Sequence, residues 1–237
     1  MDKSINDQLK DMYLKYWGNL ELKLNDFINS DQYEIKPTNP LLLSHKNPED
    51  FQNSDIKVMI LGQENNDWEG EFGGDYEHLL KTCSDFYQGE YYQHLGYFKN
   101  HYNLIVDLLK DKFKDKNIGF FWSNVVKIGK AYKKGLPPNY VLDVLETDFN
   151  VLQEEINIIK PDIIIFISGP DYDYYINQQI KDLRIVEVED YGIRELAKME
   201  IPNVKFAYRT YHPQKMNFLG KEKYTEIYNK IINMLKI

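Results

Sequence analysis

The chain has 237 residues, of which 43% are hydrophobic and 28% are charged, enough apolar material for one core, so we expect a single domain over residues 1–237. Its net charge of −8 disfavours proteins that coat nucleic acid or anionic membranes electrostatically. Neither a membrane-spanning run nor a signal-peptide pattern is found, which favours a cytoplasmic protein.

Short runs rich in Ile, Val and Phe predict buried strands, because both faces of each run are apolar. In chain order these runs are Ile56–Leu61, Ile118–Trp122, Asp162–Ile167, Arg184–Val188 and Val204–Tyr208. An apolar stripe from Val141 to Ile159, ended by Pro161, predicts a helix, and Tyr224–Leu235 carries a similar stripe. Strands alternating with such helices predict a three-layer α/β/α sandwich around a mostly parallel sheet.

Polar residues that follow the predicted strands are candidates for a site, because ligands of such sheets bind beyond the carboxyl ends of the strands. Glu64, Asn124 and His212 follow different strands. A carboxylate can orient water, an amide can read the edge of a heterocycle, and an imidazole can donate to a leaving group. Each residue alone also fits an ordinary loop or turn. Their joint placement at strand ends favours a hydrolytic site.

The segments that carry these residues resemble motifs of the uracil-DNA glycosylase superfamily. Ile56–Asn65 is similar to its first motif, a strand running into Gly-Gln-Asp-Pro or a variant, and Phe120–Asn124 resembles the strand whose last Asn reads uracil. Ile163–Gly169 is similar to the next strand, and Tyr211–Met216 resembles the His-Pro-Ser-Pro-Leu loop. The order and spacing match over roughly residues 40–237.

The resemblance implies a uracil-DNA glycosylase-like fold and an enzyme that flips uracil or another damaged base out of DNA and hydrolyses its N-glycosidic bond. It implies that Glu64 positions water and stabilises the sugar cation, and that His212 assists the leaving base. Further residues would bind the base, namely Gln63, Asn124 and an aromatic ring for which Phe72 is preferred over Tyr76 or Phe86. The expected DNA contacts are Lys127, Ser168, Arg209, Lys215 and Met216, the last as a wedge in the base stack.

An acidic stretch supports an alternative. Between Glu64 and Glu90 the chain has eight acidic residues against Lys81 alone, and this charge would repel phosphates. The alternative is a catalytically altered module of the same fold that binds a nucleobase, nucleotide or protein partner. An unrelated α/β hydrolase is a third possibility, but the sequence contains no Gly-x-Ser-x-Gly nucleophile motif.

No metal or cofactor is predicted. The histidines lack the spacing of a helical metal pair, and no glycine-rich dinucleotide or phosphate-binding loop occurs. The only cysteine, Cys83, has acidic neighbours that are expected to raise its pKa, which disfavours a nucleophilic thiol.

Overall fold

A computed structural model of the chain describes residues 3–86 and 96–237. Contacts divide the chain into two compact units, each built from separate segments. The first unit comprises Met1–Glu49, Glu64–Asp85 and Asn124–Ile159, and the second comprises Asp50–Gln63, Phe86–Ser123 and Lys160–Ile237. Glu90, at the end of the acidic stretch, lies outside the described residues.

Six strands form one sheet in the order β2-β1-β3-β6-β5-β4. Their bounds are β1 Ile56–Asn66, β2 Ile118–Lys130, β3 Ile163–Phe166, β4 Arg184–Glu187, β5 Leu196–Glu200 and β6 Phe206–Thr210. β3 pairs in parallel with β1 and with β6, whereas β5 pairs antiparallel with β4 and with β6. The predicted α/β class is confirmed.

The strand β5 was not predicted, and its sequence shows why. Lys198 and Glu200 interrupt the apolar character of Leu196–Glu200, and only Leu196, Ala197 and Met199 of this strand are buried. Such a strand has one apolar face instead of two, so it lacks the continuous apolar run on which the prediction depended.

The helices are α1 Ile5–Asn29, α2 Pro48–Gln52, α3 Tyr76–Asp85, α4 Gly96–Lys112, α5 Asn139–Thr147, α6 Leu152–Ile159, α7 Asp173–Gln179, α8 Pro213–Leu219 and α9 Lys221–Met234. A 3-10 turn, Pro170–Tyr172, precedes α7. No helix within the described ranges is long and apolar enough to cross a membrane.

The helix predicted from Val141 to Ile159 is two helices, α5 and α6. The chain leaves the helical path at Asp148, whose carboxylate accepts hydrogen bonds from Asn19 and Lys23 of α1. These contacts with α1 stabilise the break. They could not be predicted from the residues around Asp148, because Asn19 and Lys23 are distant in the sequence. The C-terminal stripe, in contrast, forms the predicted helix as α9.

Candidate functional site

β1 and β2 are longer than predicted, so several candidate residues lie inside strands instead of after them. Gln63 and Glu64 belong to β1, and Asn124 belongs to β2. Glu64 and Asn124 are each 6% exposed. Gly129 permits close contact near these residues, because a Cβ atom there would lie 1.6 Å from the main-chain oxygen of Asn65.

A cavity of about 790 Å³ lies in the second unit. Gln63 of β1, Ser168 after β3 and His212 after β6 line this cavity, as do Lys215 and Phe218 of α8. β1, β3 and β6 are parallel neighbours, so their carboxyl ends meet at one edge of the sheet. The structure therefore brings together Gln63, Ser168, His212 and Lys215. Of the three residues predicted to meet at the strand ends, His212 lines this cavity, whereas Glu64 and Asn124 do not.

His212 is the N-cap residue of α8. Its Nδ1 atom accepts a hydrogen bond from the backbone N–H of Gln214 at 3.3 Å. Burial, together with a smaller effect of the nearby His101, lowers the pKa of His212 to about 4. The ring is therefore neutral at pH 7, and with Nδ1 acting as an acceptor its proton resides on Nε2. The Nε2–H group of such a neutral imidazole can donate a hydrogen bond to an anion that forms in the cavity.

A hydrogen bond joins Gln63 and Ser168, two residues of the cavity lining. The Nε2 atom of Gln63 donates to the main-chain oxygen of Ser168 at 2.7 Å. Gly169 has φ of +79°, and its position close to the backbone of His212 suits a residue without a side chain. The hydroxyl of Ser168 is buried and has no hydrogen-bond partner among the described residues. Ser168 is fully buried, which corrects its assignment as a DNA contact.

Asn124 takes part in a hydrogen-bonded chain in the first unit. Its Nδ2 atom donates to Asn65 Oδ1 at 2.8 Å, and Asn65 Nδ2 donates to the main-chain oxygen of Lys127. One of the two N–H donors of the Asn124 amide is thus used within the protein. Asn65, which accepts this hydrogen bond from Asn124, stands at the position of Pro in the Gly-Gln-Asp-Pro motif.

The side chains of Lys127, Arg209 and Met216 are buried, which corrects their assignment as DNA contacts. Lys127 is fully buried and pairs with Glu155 at 2.6 Å. Arg209 is 1% exposed and makes two hydrogen bonds to Asp173, at 2.8 and 2.7 Å. Met216 is fully buried in α8. None of these side chains presents a charge or an apolar tip to a strand of DNA.

The aromatic candidates pack inside the units. In the first unit, the ring of Phe72 lies 6.1 Å from that of Trp17, and Tyr76 lies 5.1 Å from the same ring. In the second unit, Phe86 stacks on Trp122 with centroids 4.2 Å apart. Phe72 is buried, and its ring is tilted by 51° relative to that of Trp17 on α1.

Several lining residues of the cavity were not predicted as site residues, namely Tyr97, Asp171, Arg194, Asn217 and Phe218. Tyr97 lies on α4 and Arg194 lies just before β5. No local sequence pattern indicates that these two residues line the cavity. Phe218 lies on α8, two residues beyond the Tyr211–Met216 motif, so the motif itself did not identify it.

Comparison with known proteins adds no family. No protein-family model matches this sequence, and no curated protein matches it significantly. In the part of the chain that the structure describes, no cluster of His, Cys, Asp and Glu has the geometry of a metal site.

Proposed function

We propose that the protein is a uracil-DNA glycosylase-like enzyme that hydrolyses the N-glycosidic bond of uracil or another damaged base after base flipping. The observation that carries the proposal is the neutral imidazole of His212 at the wall of the cavity. A base that leaves its sugar carries negative charge, and an Nε2–H donor in a partly buried site stabilises that charge. The cavity, about 790 Å³, falls in the range of ordinary small-molecule sites.

Two further groups support a site for a heterocycle. The buried hydroxyl of Ser168, which has no partner among the described residues, can bond a carbonyl or an N–H of the base after a small side-chain movement towards the cavity. Gln63 is held in place by its bond to the Ser168 backbone, so the cavity wall is preorganised. From the resemblance, the water-positioning carboxylate would be Glu64, which directly follows Gln63 in β1.

The test is release of a base from single-stranded and duplex oligonucleotides that contain uracil, hypoxanthine or a mismatched uracil. The substitutions His212→Ala and Glu64→Gln are each expected to lower the rate by about a hundredfold, the effect of removing one positioned donor or base. His78→Ala is the matched control, because His78 is an exposed histidine of the first unit. An unchanged rate in His212→Ala would remove His212 from the mechanism.

A second candidate is a binding module that holds a nucleobase or nucleotide without hydrolysis. The bond from Asn124 to Asn65 favours it, because it occupies one of the two amide N–H donors and fixes the amide that was expected to read the base. This candidate predicts no base release from any substrate, while folded protein still binds uracil or uridine monophosphate in a calorimetric titration. Retained binding that Ser168→Ala weakens would support the module.

A further inference from the structure

The surface beside the cavity carries an unusual exposed ring. Phe218 on α8 is 82% exposed although it lines the cavity. Tyr97, another lining residue, is 57% exposed. A single exposed apolar side chain is common in soluble proteins. Aromatic rings at the edge of a cavity with polar walls are typical of binding sites for flat ligands.

Cationic groups accompany these rings. Lys215 precedes Phe218 by three residues on α8, and its Nζ atom lies 5.0 Å from the centroid of the Phe218 ring. No carboxylate of the described residues pairs with Lys215. Arg194 is the second cation of the cavity lining. Asp171 is the one carboxylate among the described lining residues, and its Oδ1 atom lies 2.9 Å from Nη2 of Arg194. That ion pair is exposed, so a phosphate can compete for Arg194.

We propose that this rim, formed by Phe218, Tyr97, Lys215 and Arg194, binds single-stranded DNA. An unpaired base stacks on Phe218, Lys215 contacts the adjoining phosphate, and the strand continues past Tyr97 and Arg194. This proposal rests on the proposed function and adds the strand preference. It also replaces Met216, which is fully buried, with an exposed apolar residue of the same helix.

Stacking explains why the strand is single. In a duplex, both faces of each base are covered by its neighbours, so a protein ring finds no free base face without unstacking the helix. A single strand offers its bases directly, and stacking on a protein aromatic is tolerant of sequence. The cations neutralise phosphates locally even though the whole chain is acidic, with a net charge of −8.

The experiment measures binding of fluorescein-labelled, undamaged oligonucleotides by anisotropy, so no base release is needed. Wild-type protein is expected to bind a single strand more tightly than the matching duplex. Phe218→Ala is expected to weaken single-strand binding by about fivefold or more, the lower end of the effect of losing one stacked base, whereas Phe218→Trp retains it. Lys215→Gln is expected to reduce the salt dependence of binding by roughly one phosphate contact.

An abasic strand and a surface variant are the controls. Phe218→Ala should not weaken binding of an oligonucleotide made of abasic sugar-phosphate units, because that strand has no base to stack. Leu22→Ala, at an α1 residue that is 73% exposed, should bind like the wild type. Equal binding of wild type and Phe218→Ala to single strands, or tighter binding to duplex, would overturn the proposal.

The outcomes separate this inference from the proposed function. Binding that depends on Phe218 without base release on any substrate would leave the rim in place and reject the glycosylase. Base release by a protein whose single-strand binding ignores Phe218 would support the glycosylase and reject the rim.

Discussion

Asn217 on α8 donates a hydrogen bond from Nδ2 to the Nε2 atom of His101 on α4, 3.0 Å away. The same Nδ2 also donates to the main-chain oxygen of Pro213 at 3.0 Å, which fixes the orientation of the amide. His101 must then accept at Nε2 and carry its proton on Nδ1, which lies 2.8 Å from the hydroxyl of Tyr228. The ring thus joins α8, the helix that His212 caps, to α4 and α9.

This arrangement predicts a stability that falls on acidification. Burial lowers the pKa of His101 from its usual 6.5 to about 4. Between these values the unfolded chain binds a proton that the folded chain does not, so the free energy of unfolding decreases as the pH falls from 6.5 towards 4. The loss from His101 is up to about 3 kcal/mol. Urea unfolding at pH 7.5 and pH 5 measures it.

The control for the pH effect is His101→Phe, which removes one of the two histidines with lowered pKa and leaves His212. This variant should be less stable at pH 7.5, because Asn217 and Tyr228 lose a partner, but it should lose less stability on going to pH 5. The same pH dependence in both proteins would show that His101 is not the group responsible.

The buried pair of Lys127 and Glu155 predicts a large penalty for removing one charge. Both side chains are fully buried, and Tyr13 donates a hydrogen bond to Glu155 at 2.5 Å. Burial lowers the pKa of Lys127 and raises that of Glu155, and each residue's charge counteracts the effect of burial on its partner. We expect Lys127→Met to cost about 3–5 kcal/mol in urea unfolding.

Replacing both partners tests whether the penalty comes from the orphaned charge. Lys127→Met combined with Glu155→Leu should recover most of the lost stability, since no unpaired charge remains buried. Lys81→Met is the matched single control, because Lys81 forms an exposed pair with Asp85 and should change stability by less than about 1 kcal/mol. A double variant as unstable as the single one would contradict this account.

Arg209 is expected to resist even a conservative substitution. Besides its two bonds to Asp173, it donates to the main-chain oxygens of Arg194 and Ile193 at 3.0 and 2.9 Å. A lysine cannot make this planar set of bonds, so Arg209→Lys should cost roughly 2–4 kcal/mol in thermal or urea unfolding. Lys205→Met, which removes an exposed partner of Asp162, should be nearly neutral.

Cys83 is predicted to be chemically silent in the folded protein. Burial raises its pKa to about 12, and this is a larger cause than any charge near it. The sequence predicts a raised pKa because of acidic neighbours. The structure agrees with the direction of the shift, but its main cause is burial. Ellman's reagent should label no thiol in the native protein and one thiol per chain in urea. Rapid native labelling would contradict the buried position.

The sequence was sufficient where a local pattern decides the structure. β1 and β3 were found because their residues are apolar on both faces, and α9 because its apolar residues recur at helical spacing. The general rule about parallel strands predicted a site at the carboxyl ends of the strands, where His212 lies, but it placed Glu64 and Asn124 there too, and these two do not line the cavity.

What the tertiary structure decided was the environment of each polar residue. Lys127 and Lys215 look alike in the sequence, yet Lys127 is buried against Glu155 while Lys215 is exposed beside Phe218. The neutral state of His212 similarly depends on burial and on His101, which is distant in the chain. Periodicity is a property of neighbouring residues, whereas desolvation and pairing depend on groups that only folding brings together.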